Sequence, residues 1–177
     1  RQPKFLTTKN IKAMEFPSDI FLKNGFHIKP SEEGSSIDTF AVKSNEEFKS
    51  LKQNLVNPER EFLIEETING REFTVSVLKG RCLAPLEIIP ASGMYDYHAK
   101  HIAEDTIIQK AQLEPDQIKL LCDIALKACT VCECKDWARV DVMQNEDGEF
   151  YVLEINTVPG MTDHSLFPAA AKISCLL

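Results

Sequence analysis

Apolar residues recur at two spacings along this chain, and the two spacings predict different elements. From residue 137 to residue 143 apolar and polar residues alternate, which predicts a strand with Arg139 and Asp141 on its polar face. After Glu114 and Pro115 the spacing changes to three and four, which predicts a long scaffold helix that the proline opens. The predicted buried stripe of this helix comprises Ile118, Leu121, Cys122, Ala125, Cys129 and Cys132.

Shorter patterns predict the remaining elements. A short helix is predicted through Ile11 and Met14, with Thr7-Thr8 as its cap. Ser44 and Glu47 form a capping box before a helix over 45–55. An alanine-rich helix is predicted after Ser165. Strands are predicted over 26–29, 37–43, 61–66, 71–78, 81–90 and 150–156.

A hairpin is predicted where Asp147 and Gly148 separate two strand-like runs, because this dipeptide favours a two-residue turn. Antiparallel pairing across that turn decides which residues face one another. The predicted pairs are Glu146 with Glu149, Asp141 with Glu154, and Arg139 with Asn156. Four polar side chains are therefore expected to converge on one face of the hairpin.

This polar face is a candidate metal site. Asp141 and Glu154 would repel each other at the roughly 5 Å that separates directly opposed Cβ atoms. A divalent cation between them removes that repulsion, and Asn156 adds a further oxygen. Oxygen ligands suit Mg²⁺ or Mn²⁺ better than zinc. The alternative interpretation is a solvent-exposed strand whose acidic residues bind no ion.

Composition changes this picture little. The 177 residues carry a net charge of −7, so nothing indicates a nucleic-acid surface. No apolar run reaches the roughly 20 residues of a membrane helix, and no signal peptide is visible. We therefore expect a soluble cytoplasmic protein without a nucleic-acid or membrane partner. The chain begins with Arg1 and ends in an apolar run, which favours a fragment cut at both ends.

The six cysteines leave two interpretations open. Cys129, Cys132 and Cys134 are close enough in sequence for a zinc module, but no second pair of ligands accompanies them. Their spacing on the predicted helix instead favours reduced thiols packed in a core.

Four short segments, taken in order, resemble the C-terminal signature of the D-alanine–D-alanine ligases. They are Ala-Arg-Val-Asp at 138–141, Leu-Glu-Ile-Asn-Thr at 153–157, Pro-Gly-Met-Thr at 159–162 and His-Ser-Leu at 164–166. These ligases belong to the ATP-grasp superfamily. The match is long and rich in polar residues, so the resemblance is specific.

The resemblance implies a fold and a domain organisation. The expected fold is α+β, with two α+β lobes of mostly antiparallel sheets that hold ATP between them. Residues 1–72 would form the small lobe, incomplete at its N-terminus. Residues 73–177 would form the large lobe, which carries the metal site and is truncated at its C-terminus. The N-terminal domain that binds the first substrate in the family would be missing.

The resemblance also implies an activity. Ligases of this kind phosphorylate one D-alanine with ATP and join the acyl phosphate to a second D-alanine, for peptidoglycan precursor synthesis. The implied cofactors are ATP and a pair of Mg²⁺ or Mn²⁺ ions, and the full-length enzyme would be a possible homodimer. Because the first-substrate domain is missing, we expect the fragment to be weak or inactive alone.

Individual roles follow from matched positions. The implied metal ligands are Asp141, Glu154 and Asn156. The implied ATP-binding residues are Lys29, Ser35, Ser36, Glu65, Glu66, Ile68, Glu72 and Lys100. The implied catalytic residues are Arg139, Lys100, Ser35 and Gly160. The implied substrate-binding residues are His101, Gly160, Ser165 and Leu166.

Three residues depart from the family pattern. Asp38 stands where a glycine is usual, and Glu32 stands where a basic residue is common, so both place acids near the implied phosphate loop. His101 replaces a tyrosine that orients the first substrate. These departures leave two alternatives open: a ligase for a D-hydroxy acid or another ATP-grasp substrate, and a non-catalytic remnant of the fold.

Overall fold

The computed structural model describes residues 1–17, 24–33, 38–90 and 106–175. Within these ranges the strands are β1 Phe5–Thr8, β2 Phe26–Pro30, β3 Phe40–Val42, β4 Phe62–Glu66, β5 Gly70–Leu78, β6 Arg81–Cys82, β7 Leu86–Ile89, β8 Ile107–Lys110, β9 Trp137–Asn145 and β10 Phe150–Asn156. The helices are α1 Asn45–Asn54, α2 Pro115–Val131 and α3 Leu166–Ile173. None of the helices in the described part of the chain has the length and apolar character needed to cross a bilayer.

The chain divides into two compact units. The smaller unit contains Pro3–Ile68, and the larger one contains Arg1–Gln2 and most of the residues from Asn69 onwards. The assignment of residues 1–72 and 73–177 to two nucleotide-binding lobes stays a prediction.

The smaller unit is an antiparallel sheet of order β1-β4-β2-β3, with α1 packed on it. The predicted cap of α1 is confirmed, since the Glu47 amide donates to Ser44 Oγ at 3.1 Å. The Glu47 carboxylate reaches one residue further back than expected and accepts from the Lys43 amide at 2.7 Å. Fully buried Phe26 and Phe48 meet edge to face, with ring centroids 5.8 Å apart.

The helix predicted through Ile11 and Met14 is wrong. Thr7 and Thr8 belong to β1 and pair with Leu63 and Phe62 of β4, and β-branched side chains favour strands. Only one turn follows, in which the Ala13 amide donates to the Asn10 side chain at 3.1 Å.

The larger unit is built on a six-stranded antiparallel sheet of order β10-β9-β5-β7-β8, with β6 paired to β5. We call the face of this sheet that packs on α2 its first face and the opposite one its second face. On the first face, Phe73, Val75 and Val140 belong to the same buried cluster as two residues of α2, Leu121 and Ala125. On its second face, α3 covers the part of the sheet near β7. The residues buried there are Leu83, Leu86, Ile88, Leu166, Phe167, Ala170 and Ala171.

Two sequence predictions fail in this unit. Residues 81–90 form two strands instead of one, since Pro85 lacks an amide hydrogen and the Ala84 amide bonds Ser174 Oγ at 2.8 Å. The predicted stripe of α2 is buried at its centre, but Cys122 is only half-buried. Cys132 is exposed because α2 ends one residue before it, at Val131.

The turn between β9 and β10 also differs from the prediction. The Asn145 amide donates to the Glu149 carbonyl at 3.0 Å, so the loop contains residues 146–148, three instead of two. Gly148 ends this loop with φ +80°, a conformation that costs other residues energy. The predicted pairing of Glu146 with Glu149 is therefore wrong.

A β-bulge compensates for this turn. The longer loop alone would move every pair of the hairpin by one residue. The register shifts back between Val152 and Glu154, where β10 contains one extra residue. Beyond the bulge Glu154 faces Asp141 and Asn156 faces Arg139, so both pairings predicted for the polar face are confirmed.

Candidate functional site

Four side chains, those of Arg139, Asp141, Glu154 and Asn156, form a polar cluster on the second face of the larger sheet, and Asp141 lies at its centre. Its side chain is almost fully buried and accepts hydrogen bonds from three residues. Thr74 Oγ1 donates to Oδ1 at 2.6 Å, and Asn156 Nδ2 donates to Oδ2 at 3.2 Å. Arg139 donates through Nε at 2.9 Å and through Nη2 at 2.7 Å, which makes a bidentate ion pair.

Glu154 forms the outer edge of this cluster. Its side chain is 45% exposed, against 6% for Asp141. Asn156 Nδ2 donates to Glu154 Oε1 at 3.1 Å, and Arg139 Nη2 lies 3.9 Å from the same oxygen. The guanidinium therefore neutralises part of the repulsion between the two carboxylates, which the sequence argument had assigned to a metal ion alone.

The donor set of the cluster fits a hard divalent cation. Asp141 and Glu154 supply carboxylate oxygens on one face, where the side-chain amide of Asn156 also lies. Asn156 points its Nδ2 at both carboxylates, and rotation of the amide by half a turn would present its oxygen instead. In the described ranges, no three His, Cys, Asp or Glu side chains lie close enough together to hold a metal ion. The cysteines of 129–134 therefore do not form such a group either.

Among the described residues, the smaller unit holds four of those predicted to bind ATP: Lys29, Glu65, Glu66 and Ile68. Lys29 Nζ lies 2.7 Å from Glu65 Oε2, and Glu65 is buried. Glu66 Oε1 accepts from the Lys4 amide at 2.9 Å, so this carboxylate is already used to hold the start of β1. His27 faces Glu65 across the ladder, and burial lowers the pKa of its imidazole. Ile68 is half-buried at the end of this unit.

The loop before α3 places the predicted substrate residues together. Ser165 occupies the cap position, but its Oγ accepts from the Thr162 amide at 3.1 Å instead of from α3. Gly160 packs so closely that an added Cβ would lie 2.8 Å from Ser165 Oγ. Leu166 has its side chain in the core under α3, which leaves its backbone as the part able to contact a ligand.

Several predicted site residues belong neither to the polar cluster, nor to the contacts of Lys29 and Glu65, nor to the loop before α3. Glu72 lies half-buried on β5, between Ile88 and Met143 of the neighbouring strands. The remaining predicted residues, Ser35, Ser36, Lys100 and His101, lie outside the described residues.

Two functional candidates escaped the sequence analysis. Thr74 lies in the strand predicted over 71–78, and only the pairing of β5 with β9 places it opposite Asp141. Arg60 received no role from the sequence, yet its Nη2 lies 2.7 Å from Asp38 Oδ2 and its Nη1 bonds Glu33. Arg60 therefore balances Asp38, one of the acids that depart from the family pattern.

Comparisons with known proteins identify relatives for nearly the whole chain. A family model described as D-ala D-ala ligase C-terminus matches residues 4–176. A D-alanine–D-alanine ligase of Pseudomonas putida is 41% identical over 150 residues, which is 84% of this chain and 47% of that ligase. One from Marinobacter nauticus is 44% identical over 146 residues, 82% of this chain and 45% of the relative. The chain thus spans about half the length of the curated relatives it matches.

Solved structures give the same result for the fold. A D-alanine–D-alanine ligase from Bacillus anthracis is similar with TM-score 0.82 and 30% identity, over 99% of this chain and 57% of that one. A D-alanine–D-alanine ligase from Bacillus anthracis complexed with ATP gives a TM-score of 0.80 and 26% identity, over 98% of this chain and 55% of that one. The VanG D-Ala:D-Ser ligase of Enterococcus faecalis gives a TM-score of 0.77 and 26% identity, over 97% of this chain and 52% of that one. These likenesses confirm the predicted α+β, ATP-grasp fold, and the chain belongs to the D-alanine–D-alanine ligase C-terminal family.

Proposed function

We propose that this chain is the nucleotide- and metal-binding part of an ATP-dependent ligase that joins two D-alanines through an acyl phosphate. The observation that carries the proposal is the polar cluster of Arg139, Asp141, Glu154 and Asn156, which the bulged hairpin assembles on one face of the sheet. The family match supports the same activity, and a solved relative is complexed with ATP. The product would serve peptidoglycan precursor synthesis in the cytoplasm.

Asp141, Glu154 and Asn156 are the proposed Mg²⁺ or Mn²⁺ ligands. Phosphoryl transfer depends mainly on charge neutralisation and alignment, and a bound divalent cation would supply positive charge to the phosphates. Asp141 is fixed by Thr74 and Arg139, whereas Glu154 is the more exposed member. The buried acid would therefore set the position of the site, and Glu154 would adjust to the ion.

Arg139 is the proposed catalytic cation. Its side chain is 15% exposed, and its guanidinium is held by Asp141 through two hydrogen bonds, so its direction is set before any substrate arrives. A positioned donor of this kind stabilises charge that develops during the reaction, and its loss typically costs about 10²–10³ in rate.

The remaining assignments rest on position and on the family match. Lys29, oriented by Glu65, would contact phosphate together with Lys100 and the loop of Ser35 and Ser36. Glu65, Glu66 and Ile68 would bind the adenine through their backbone, and Glu72 the ribose. Gly160 would offer its amide to an oxyanion, while Ser165, Leu166 and His101 would contact the amino-acid substrates.

One observation favours an active nucleotide site over a non-catalytic remnant. Asp38 next to a triphosphate would oppose binding, but its carboxylate is paired with Arg60, which also bonds Glu33. The acid is therefore neutralised within the protein. The choice of the amine stays open to experiment, since one solved relative is a D-Ala:D-Ser ligase.

The first test measures nucleotide binding by this 177-residue chain. A non-hydrolysable ATP analogue is titrated by calorimetry with and without Mg²⁺, and we expect affinity to require the metal. Glu154→Gln should weaken the metal-dependent binding by about tenfold or more, a loss of about 1.4 kcal/mol. The matched control is Glu149→Gln, an acid of the same hairpin that pairs with Arg1 and Tyr151, outside the cluster. Equal affinity with and without Mg²⁺ would refute the metal site.

The second test measures chemistry. Phosphate release from Mg-ATP is followed with D-alanine alone, with D-serine and with D-lactate as the second substrate. We expect negligible turnover by the isolated chain and turnover with D-alanine by the full-length enzyme. Robust turnover by the 177-residue chain alone would contradict the proposal that this chain needs a first-substrate domain for ligase activity.

A further inference from the structure

Ser76 carries a buried hydroxyl group that the fold leaves unsatisfied. Its side chain is fully buried in β5, and in the part of the chain that the structure describes its Oγ has no hydrogen-bond partner. A buried hydroxyl without a partner destabilises a protein, because folding removes the water that would bond it. Native proteins contain few such groups, and a catalytic role is one reason for keeping one. Ser76 has no assigned role in the proposed ligase chemistry.

The position of Ser76 is next to the polar cluster. Ser76 faces Arg139 across the pairing of β5 with β9, and Thr74, two residues earlier on the same face, bonds Asp141. Leu78, two residues later, packs against the core under α3, so Ser76 lies where the polar cluster meets an apolar layer. Directly opposed side chains are about 5 Å apart at Cβ. The Ser76 hydroxyl is therefore within reach of the Arg139 side chain.

The carboxylate of Asp141 is saturated with hydrogen bonds. A carboxylate offers about four acceptor positions. Here two accept from Arg139, one from Thr74 and one from Asn156. A cation that binds Asp141 must displace a donor, and rotation of the Asn156 amide frees one position on Oδ2. Arg139 Nη2 bonds that same oxygen, so a cation there repels the guanidinium and weakens its hold on Asp141.

We propose that Ser76 is a positioning residue for Arg139, whose guanidinium donates a hydrogen bond to the Ser76 hydroxyl once a cation occupies Asp141. The inference rests on the proposed function, in which Mg²⁺ or Mn²⁺ binds Asp141 together with the nucleotide. A guanidinium has five N–H donors and no acceptor, so it needs an oxygen with an available lone pair. Ser76 Oγ supplies one at the facing position. The hydroxyl thus destabilises the empty protein and holds the catalytic cation in the loaded one.

The first test measures stability without any ligand. Ser76→Ala removes the unsatisfied hydroxyl and should raise the melting temperature, followed by the fluorescence of Trp137, by about 2–4 °C. The matched control is Ser174→Ala, since Ser174 Oγ accepts from the Ala84 amide and donates to the Ala170 carbonyl, both at 2.8 Å. This control should lower the melting temperature. An unchanged or lower value for Ser76→Ala would mean that its hydroxyl is bonded in the empty protein, which would overturn the proposal.

A double-mutant cycle then tests the partnership with Arg139, again without ligand. Asp141→Leu removes the carboxylate that holds the guanidinium, so Arg139 can turn towards Ser76. In this background Ser76→Ala removes a bonded hydroxyl, and the change that stabilised the unaltered chain should now lower the melting temperature by about 2 °C or more. Asp141→Asn keeps the shape of the side chain and is the second background if Asp141→Leu does not fold. The same rise in the altered and unaltered backgrounds would contradict the partnership.

Binding of a non-hydrolysable ATP analogue with Mg²⁺ tests the loaded protein. Ser76→Ala should weaken the metal-dependent binding by about tenfold, which corresponds to one hydrogen bond to a charged group. Arg139→Lys lacks the planar fork of the guanidinium, so adding Ser76→Ala to it should weaken binding no further. The control Ser174→Ala should bind as the unaltered chain does. A residue that only packs would change stability without this loss of affinity.

The outcomes separate this inference from the proposed function. Metal-dependent binding that is equal in Ser76→Ala and in the unaltered chain would overturn the role of Ser76 and leave the metal site standing. Equal affinity of the unaltered chain with and without Mg²⁺ would overturn the proposed function, and the role of Ser76 in the loaded protein would fall with it. The ligand-free cycle would then still show whether Ser76 and Arg139 form a pair.

Discussion

The ion pair between Asp141 and Arg139 is expected to be strongly coupled, and a double-mutant cycle measures this. Asp141→Leu removes a buried carboxylate that accepts four hydrogen bonds, two of them from one guanidinium. Loss of one partner of a buried pair costs about 3–5 kcal/mol. Glu154 lies 3.9 Å from Arg139 Nη2 and is half-exposed, so it can move to replace part of the lost charge. We therefore expect a cost near the lower limit, about 3 kcal/mol.

The double variant should lose less free energy of unfolding than the sum of the losses from the two single changes. Arg139→Met in the Asp141→Leu background removes the cation that the first change left without its buried partner. Replacement of a whole buried pair by apolar residues is often close to neutral. The coupling free energy should therefore exceed about 1.5 kcal/mol, well above the 0.3–0.5 kcal/mol within which independent sites add.

Urea unfolding supplies the free energies for this cycle. Trp137 is the only tryptophan of the sequence and lies on β9, two residues before Arg139, so its fluorescence reports the larger unit. The midpoint and the slope are fitted for the four proteins, and the slope must stay constant for the comparison to hold. Additivity of the two single changes within about 0.5 kcal/mol would refute the coupling inferred from the geometry.

Three further predictions follow from single contacts. Gly148→Ala should destabilise the larger unit by about 1 kcal/mol in urea, since its φ of +80° penalises any Cβ, although an added Cβ would meet only ordinary van der Waals contacts, the nearest being Gln117 Nε2 at 3.7 Å. No change in the free energy of unfolding would contradict the three-residue turn. Burial lowers the folded-state pKa of His27, so the unfolded chain binds the proton more readily and stability should fall as pH drops below about 6.5; His27→Gln should remove this component, measured by melting between pH 5.5 and 7.5. Arg60→Met should weaken binding of the ATP analogue by leaving Asp38 unpaired, and adding Asp38→Asn should restore it; loss without restoration would mean that Arg60 acts through another contact.

The sequence was sufficient for the local elements. Alternation on β9, the proline at the start of α2 and the capping box at Ser44 are short-range signals, and each element formed where its signal lies. The ordered polar signature also identified the family. These signals work because they act within one turn or one strand pair, where propensity and spacing dominate.

The tertiary structure decided the hairpin in a way that no short-range rule gives. The turn prediction was wrong by one residue, and the bulge after Val152 cancelled the error, so the right residues meet for a reason that the sequence pattern did not contain. A bulge forms where packing on both strands demands it. Here the face that packs on α2 and the polar face must both keep their alternation.

By itself, the sequence therefore determined the chemistry of the site, namely which oxygen-bearing side chains the two strands carry. It also determined the family to which the chain belongs. The tertiary structure decided their electrostatics. Arg139 pairs with Asp141, Thr74 of a distant strand bonds the same carboxylate, and Arg60 neutralises Asp38. Such pairings depend on burial and on contacts between residues far apart in the chain, and these exist only once the sheets have packed.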